Sequence, residues 1–172
     1  MITDGTIILR APEPSDIDTM YIWENDPTIW KDGALRAPMS RKTLCDFVNY
    51  YNPDPASAGQ LRLIIELEAT HTPVGCIDLY EYDSVNRRAG TGIVISREFQ
   101  NHGYAARALR LMCDYCQTDL GLHQLWAVVA RANEASLKLY TGCGFLTCGN
   151  LRSWIRTGSS YSDALILQRL LV

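Results

Sequence analysis

Ile93-Val-Ile-Ser-Arg-Glu-Phe-Gln-Asn-His-Gly-Tyr-Ala-Ala-Arg-Ala-Leu109 decides the fold, because it reads as an apolar strand, a short turn and a helix that opens on small residues. The first N–H groups of a helix have no partner within it and lie at the positive end of its dipole. Such a helix start binds phosphate or pyrophosphate. Gly103, Ala105 and Ala106 leave room for a ligand to approach the backbone. The stretch therefore predicts a phosphate-bearing cofactor at the end of a strand.

Length and composition predict a single globular domain over residues 1–172. The chain is 47% hydrophobic and 20% charged, and a domain of this size buries roughly 70% of the surface that its unfolded chain exposes. A formal net charge of −3 argues against nucleic acid as a partner. No apolar run reaches the ~20 residues that span a bilayer, and the first residues lack the pattern of a signal peptide. We therefore expect a cytoplasmic protein without a membrane partner.

The six cysteines are expected to be reduced thiols in that compartment. Cys113 and Cys116 have the spacing of a zinc or redox pair. On a helix they are one turn apart with Cys113 on the apolar face, which favours packing in the core. Cys143 and Cys148 could add two ligands, but no histidine lies between them and their spacing is not that of a known zinc module. We predict no metal site.

The remaining pattern predicts a mixed sheet with helices on its faces. Strands are expected at 6–10, 61–68, 74–82, 88–95, 124–130, 145–148 and 161–170. Helices are expected at 14–24, 41–51, 104–120 and 134–141, with loops at 30–38 and 52–59. The strand, long helix and strand around Gly103 imply a parallel pair joined by a right-handed crossover. Gly90 and Gly92 inside a strand mark a bulge or a close approach to the backbone.

Three motifs resemble the GNAT superfamily of acyl-CoA-dependent N-acyltransferases. The cofactor signature of that family, Gln/Arg-x-x-Gly-x-Gly/Ala, stands here as Gln100-Asn-His-Gly-Tyr-Ala105. The segment from Asn133 to Tyr140, followed by Gly144-Phe145, is similar to the family's Asn-x-x-(Ser/Ala)-x-x-x-Tyr and Gly-Phe pattern. The opening Leu9-Arg10, followed by Asp16 at a helix start, also resembles the family. Within it, the likeness is greatest to the spermidine and the ribosomal-protein alanine N-acetyltransferases.

The resemblance implies an α/β GNAT-like fold and acetyl-CoA (coenzyme A) as co-substrate. The fold has a central mixed, mostly antiparallel sheet of about seven strands, about four helices, and a splayed parallel strand pair. The pantetheine is expected along the strand residues Ile93, Val94 and Ile95, and the diphosphate on the amides that follow them. The cofactor-binding residues beyond the strand are then Gln100, Asn101, His102, Gly103, Tyr104, Ala105, Ala106, Asn133 and Ser136.

Tyr140 is the residue that the resemblance assigns as general acid. A phenol has an ordinary pKa near 10, so it is protonated at neutral pH and can donate to a departing thiolate. The alternative is a half-buried packing residue. The base stays open, because Gly90 stands where many relatives carry a glutamate. Asp78 or Glu81 could act through ordered water, or the amine could lose its proton to solvent.

Acidic residues predict a site for a cationic acceptor, either a small-molecule amine such as a polyamine or a peptide N-terminus. Asp78 and Glu81 are the candidates on a strand, and Trp30 is a candidate apolar wall. Further carboxylates could line the same pocket, namely Asp83 and, from the N-terminal part, Glu24, Asp26 and Asp32. The alternative is that these carboxylates are merely solvated. Because strand side chains alternate between faces, Asp78 and Glu81 share a face only if the strand is twisted or bulged.

The sequence thus predicts transfer of an acetyl group from acetyl-CoA to a primary amine, such as spermidine, by direct attack in a ternary complex. Two alternatives stay open: a peptide or ribosomal-protein N-terminal acetyltransferase, and a catalytically idle acyl-CoA-binding module. A nucleotide site of another kind finds no support, because the chain has neither a P-loop nor a Rossmann glycine pattern. A homo-oligomer is left open.

Overall fold

The computed structural model describes residues 1–30 and 37–171, apart from the side chains of residues 29, 30 and 157. Its strands are β1 (Ile2–Thr3), β2 (Ile7–Arg10), β3 (Leu61–Leu67), β4 (Thr72–Asp83), β5 (Arg88–Ile95), β6 (Gln124–Ala130), β7 (Leu146–Thr157) and β8 (Ser160–Leu170). Its helices are α1 (Ile17–Glu24), α2 (Pro27–Trp30), α3 (Arg41–Asn49), α4 (Pro55–Ala58), α5 (Tyr104–Thr118) and α6 (Glu134–Gly142). Single 3-10 turns lie at Pro14–Asp16 and Arg97–Phe99.

The strands form one sheet in the order β1-β2-β3-β4-β5-β6-β8-β7. Each neighbouring pair is antiparallel except β5 and β6, which run parallel and are joined through α5. The predicted mixed, mostly antiparallel sheet with one parallel pair is therefore confirmed. The crossover positions the site, because it brings the start of α5 to the end of β5.

The differences from the sequence prediction lie in short elements. An eighth strand, β1, has only two residues, which is too few to show an alternating pattern. The loop predicted at 52–59 contains the single helical turn α4, capped by the Asp54 side chain on the Ala56 amide at 3.0 Å and closed by Gly59 at φ 73°. Trp30, predicted in a loop, ends the four-residue helix α2. β7 extends far beyond the predicted 145–148, because it pairs with β8 as a long hairpin, whereas β8 matches its predicted range to within one residue.

One face of the sheet carries the main core, under α5. Leu109, Met112, Cys113 and Cys116 form the predicted stripe on this helix, and all four are fully buried against strand residues. The packing interpretation of Cys113 and Cys116 is confirmed, and burial raises the pKa of the Cys113 thiol to about 11. In the part of the chain that the structure describes, no three His, Cys, Asp or Glu side chains are grouped as metal ligands.

The opposite face of the sheet is covered by α1 and α3. Ser40 caps α3 as predicted, since its hydroxyl accepts from the Thr43 amide at 3.1 Å. The helices bury Met20, Trp23, Leu44 and Val48 against strand residues Ile64 and Cys76. None of the helices within residues 1–30 and 37–171 is long and apolar enough to cross a membrane.

Arg10 on β2 links the residues that precede α1 to the neighbouring strand β3. Its guanidinium donates to both carboxylate oxygens of Asp16, at 2.7 and 2.9 Å, and also pairs with Glu66 on β3. Asp16 itself is buried and accepts from the Glu13 amide at 2.7 Å, so the helix start is fixed relative to β2 and β3. The spacing of Arg10 and Asp16 therefore has a structural explanation.

Candidate active site

The parallel strands β5 and β6 separate after three residue pairs. Arg88, Ala89 and Gly90 face Gln124, Leu125 and Trp126, and no later residue of β5 pairs with β6 among the described residues. Beyond this point β5 is paired only with β4, and β6 only with β8. The backbone of Ile93, Val94 and Ile95 therefore borders a split between two parallel strands. An extended ligand with amide groups can pair with such an unpaired strand edge.

The turn from β5 to α5 presents a run of unpaired amides. None of the N–H groups from Asn101 to Ala106 donates to an acceptor within the described part of the chain. Asn101 has φ 64° and Gly103 has φ 81°, so the chain turns sharply before α5 begins at Tyr104. A Cβ added to Gly103 would meet no atom within 4 Å. This open, electropositive helix start fits a diphosphate.

Side chains of the turn hold its shape. Gln100 donates from Nε2 to the carbonyl of Ile95 at 3.1 Å, which joins the turn to the end of β5. His102 Nδ1 lies 2.8 Å from the carbonyl of Gln100, and its ring stacks on Tyr104 at a centroid distance of 5.6 Å. Gln100 and His102 therefore act on the backbone of the turn. Ala105 and Ala106 are half-buried small residues in the first turn of α5.

Tyr140 reaches the apex of the split from α6. Its ring is buried, with 3% of its surface exposed, and it packs edge-on against Phe145 at 5.0 Å. Its hydroxyl donates to the carbonyl of Thr91 at 2.9 Å, and Thr91 is the first β5 residue beyond the last pair with β6. Burial raises the pKa of Tyr140 far above that of a free phenol, so the proton is retained.

The helix that carries Tyr140 is capped by Asn133. The Asn133 side chain accepts from the Ser136 amide at 3.1 Å, as the sequence predicts for an N-cap. Both residues are half-buried. Near the apex, the hydroxyl oxygen of Thr91 is buried and has no hydrogen-bond partner within the described residues. A buried polar atom left unsatisfied by the chain fits a site completed by a ligand.

Asp78 is engaged by Arg62 on the face covered by α1 and α3. Arg62 donates from Nε and Nη2 to the two Asp78 oxygens, at 2.7 and 2.9 Å, and pairs also with Glu24. The ring of Phe47 lies 5.8 Å from the same guanidinium. Although burial opposes its charge, the neighbouring acidic groups raise the pKa of Arg62 well above its usual value. Glu24, Arg62 and Asp78, referred to below as the acidic group, together carry one net negative charge.

Glu81 lies at an irregularity of β4. The register with β5 shifts between Tyr80 and Asp83, and Glu81 has φ 49° with an exposed side chain. Asp78 and Glu81 can share a face of the strand only if the alternation of its side chains is interrupted between them, and this irregularity is such an interruption. Trp30 ends α2, and its side chain lies outside the described residues, as do residues 31–36.

Tyr80 is a site residue that the sequence does not identify. It faces Gly90 across β4 and β5, and its ring carbon lies 2.2 Å from the position that a Cβ on Gly90 would take. The close approach predicted from the strand glycines is thus made at Gly90 by an aromatic ring. In the sequence, Gly90 indicates that another group approaches the backbone at this position, but it does not indicate which residue does so.

Comparison with known proteins agrees with this geometry. The sequence model of the acetyltransferase (GNAT) domain matches residues 6–146. A spermidine N(1)-acetyltransferase of Vibrio cholerae is 30% identical over 160 residues, covering 93% of this chain and 90% of that protein. An uncharacterized N-acetyltransferase, YoaA, of Bacillus subtilis is 32% identical over 156 residues, covering 90% of this chain and 88% of the relative. The crystal structure of a Vibrio cholerae spermidine N-acetyltransferase with CoA and spermine superposes with a TM-score of 0.88 at 25% identity, covering 98% of this chain and 97% of the other.

Proposed function

Because this chain belongs to the GNAT acetyltransferase family, we propose that the amine it acetylates is a polyamine such as spermidine. The chain is an N-acetyltransferase with acetyl-CoA as its co-substrate. Acetyl-CoA supplies an acetyl thioester, which is open to attack by an amine. The residues of this chain bind and orient the two reactants and handle the protons.

The observation that carries the acetyl-CoA part of this proposal is the arrangement of three features along β5. The unpaired amides of Asn101 to Ala106 follow its carboxyl end, and the Tyr140 hydroxyl meets it at Thr91. The exposed strand edge of Ile93 to Ile95 lies between these points. Diphosphate, pantetheine and sulfur of one extended molecule would match the three in order. Asn133 and Ser136 are proposed to border this molecule from the start of α6.

Positioning is expected to provide most of the rate enhancement. Holding two reactants in the attacking geometry removes roughly 7–11 kcal/mol of barrier. The acceptor nitrogen forms a bond to the acetyl carbon while the bond from that carbon to sulfur breaks, and the departing thiolate takes a proton. Tyr140 is the proposed donor, because rotation of its hydroxyl about the C–O bond redirects the proton from the Thr91 carbonyl toward the split.

The proton lost by the amine is proposed to pass to solvent. Gly90 offers no side chain, and Asp78 holds two hydrogen bonds from Arg62. Burial, together with the nearby Glu81, raises the pKa of Tyr80 to about 12, against a backbone hydrogen bond from Val128 that lowers it. A neutral phenol of this kind is a poor base near pH 7. Glu81 is exposed and is proposed to act on the acceptor as a charge.

The charges on the α1 and α3 face support a polyamine acceptor. Glu24, Arg62 and Asp78 together leave one negative charge, and Glu81 adds another nearby on the same strand. Acidic groups attract a polycation and raise its local concentration. The Vibrio cholerae relative whose structure resembles this chain contains spermine together with CoA.

A thiol-release assay with acetyl-CoA and a panel of amines tests the function. We expect acetylation of spermidine and spermine, confirmed by mass spectrometry, with kcat/KM above that for peptides that begin with Ala or Ser. Equal rates on both acceptor classes would remove the polyamine assignment. A preference for the peptides would identify an N-terminal acetyltransferase instead.

Two further proposals concern the setting of the enzyme. The six cysteines are all free, which suits a reducing compartment, so we propose the cytoplasm. Exposed apolar side chains on β7 and β8, namely Leu146, Trp154, Tyr161 and Leu170, suit contact with a second copy. Sedimentation at several protein concentrations tests the homo-oligomer.

A further inference from the structure

Tyr80, Gly90 and Trp126 form one row across three strands. Tyr80 on β4 is the register partner of Gly90 on β5, and Gly90 is the partner of Trp126 on β6. The Tyr80 ring covers Gly90 so closely that three of its carbons lie within 2.7 Å of a Cβ built there. A side chain at position 90 would therefore displace the ring. Trp126 meets the ring edge-on at a centroid distance of 5.2 Å.

This row marks the apex of the split. Gly90 and Trp126 are the last pair between β5 and β6, so Tyr80 lies where the strands begin to separate. Through its edge-on contact with Trp126, the Tyr80 ring also reaches β6. The side chain thus spans from β4 to β6 across β5. Both Tyr80 and Trp126 are half-buried, so part of each ring is open to a ligand.

The row faces the acidic group. Tyr80 and Asp78 are two residues apart on β4 and project from the same face. Asp78 is paired with Arg62 and, through it, linked to Glu24 of α1. An aromatic surface thus adjoins carboxylates that keep a net negative charge. Such a combination suits an aliphatic ammonium ion, since the ring face attracts the cation and the methylenes pack on the ring.

We propose that Tyr80 is a specificity-determining residue of the acceptor site, and that its ring, held over Gly90 and buttressed by Trp126, forms the wall on which an unbranched aliphatic diamine or polyamine lies. This inference rests on the proposed function. Because the Tyr80 ring occupies the space beside Gly90, a charged side chain at position 90 would have no room in this site. The wall favours a slender chain over a peptide N-terminus, whose α-carbon carries a side chain and a carbonyl.

Tyr80→Val in the full chain is the first test, with Tyr80→Phe as its matched control. The valine suits a strand but removes the ring, and we expect KM for spermidine to rise about 3- to 30-fold. KM for acetyl-CoA should stay within about twofold, because the cofactor features lie farther along β5. Tyr80→Phe keeps the ring and should restore most of the affinity for spermidine. A merely structural role would not separate the two KM values.

Gly90→Ala is the second test, because it pushes the ring aside without removing it. We expect a raised KM for spermidine in the wild-type background, and a lowered melting temperature from the close contact. In the Tyr80→Val background the same substitution should have little effect on either quantity. If the effect of Gly90→Ala on spermidine KM is lost when the ring is absent, that effect is caused by displacement of the Tyr80 ring.

The outcomes separate the inference from the proposed function. Wild-type enzyme that does not acetylate spermidine would overturn both. Wild-type enzyme that does so, with an unchanged spermidine KM in a folded Tyr80→Val variant that binds acetyl-CoA normally, would overturn the wall alone. Equal effects of Tyr80→Val on spermidine and on an Ala-starting peptide would also overturn it, because the ring would then not discriminate between acceptors.

Discussion

The two sides of the β5–β6 split differ in the groups that form them, which are main-chain amides on one side and side chains on the other. Toward α5, the site consists of main chain: unpaired amides from Asn101 to Ala106 and a left-handed glycine at 103. Toward α1 and α3, it consists of side chains brought from distant positions, with Arg62 between Glu24 and Asp78 and with Tyr80 over Gly90. Tyr140 stands at the apex, where the two sides meet.

This difference teaches where sequence change is tolerated. A main-chain site depends on the path of the backbone, so most side chains within it can vary while a residue with positive φ cannot. A side-chain site depends on each group and its partner, so one substitution there alters charge, shape or both. The proposed cofactor side should therefore be robust except at Asn101 and Gly103, which have positive φ, and the proposed acceptor side should be easily retuned.

Tyr140→Phe tests the apex and should have the largest effect. Loss of the proposed general acid is expected to lower kcat by about 10²- to 10⁴-fold. Affinity for CoA, measured by calorimetry, should hardly change, because the phenol binds the Thr91 carbonyl and not the turn. Tyr115→Phe on α5 is the control, and it should leave kcat as in the wild type. An unaffected rate would remove Tyr140 from the chemistry.

The raised pKa of Tyr140 adds a pH test with a definite sign. The pKa of Tyr140 in the folded protein lies above the ordinary value near 10, so its hydroxyl keeps its proton through neutral and mildly alkaline pH. Turnover should therefore show no alkaline decline from this group below about pH 10. A decline near pH 8 that Tyr140→Phe abolishes would contradict the assignment.

Arg62→Met tests the acceptor side. It leaves Glu24 and Asp78 close together without their shared cation, and we expect a loss of about 2–3 kcal/mol in the free energy of unfolding, discounted for partial exposure. KM for spermidine should also change, since the charge and shape of this face change. Urea unfolding and initial rates measure the two effects.

Arg10→Met is the matched control for Arg62→Met. Arg10 also holds two carboxylates, Asp16 and Glu66, and its side chain is 25% exposed against 23% for Arg62. Removing it should cost similar stability but leave KM for spermidine unchanged at a temperature where the variant is folded. If both variants alter KM equally, the effect of Arg62 is indirect.

Gly103→Val tests the cofactor side. A β-branched residue held at φ 81° is strained by about 1–3 kcal/mol, so either the turn shifts or the fold loses that energy. We expect affinity for CoA to fall about tenfold, with a smaller effect on spermidine KM. Gly5→Val is the control, because Gly5 has the same φ of 81° and equally open surroundings but lies in the turn between β1 and β2. Unchanged CoA affinity in Gly103→Val would refute the main-chain site.

The same contrast explains what sequence could predict. The strand β5, the turn and α5 are contiguous, and the cap of Asn133 is local, so periodicity, glycine and small residues reveal them. The acceptor side joins residues as far apart as Glu24 and Asp78. The sequence identified Asp78 but not the Arg62 that pairs with it, and Gly90 but not the Tyr80 ring above it. Long-range side-chain partners leave no local signal in one sequence.

Glu81→Gln should give the smallest effect and refines the acidic part of the acceptor side. Glu81 is exposed at the β4 irregularity, so it acts on a cation only through a screened field. We expect KM for spermidine to rise about twofold at low salt, and this difference to vanish near 1 M salt, where the Debye length is about 3 Å. Asp114→Asn removes an equal charge from α5 on the other face of the sheet and should leave KM unchanged. If the two variants behave alike, spermidine responds to net charge rather than to a local field, and the acceptor side is defined by its rings and by Arg62 instead.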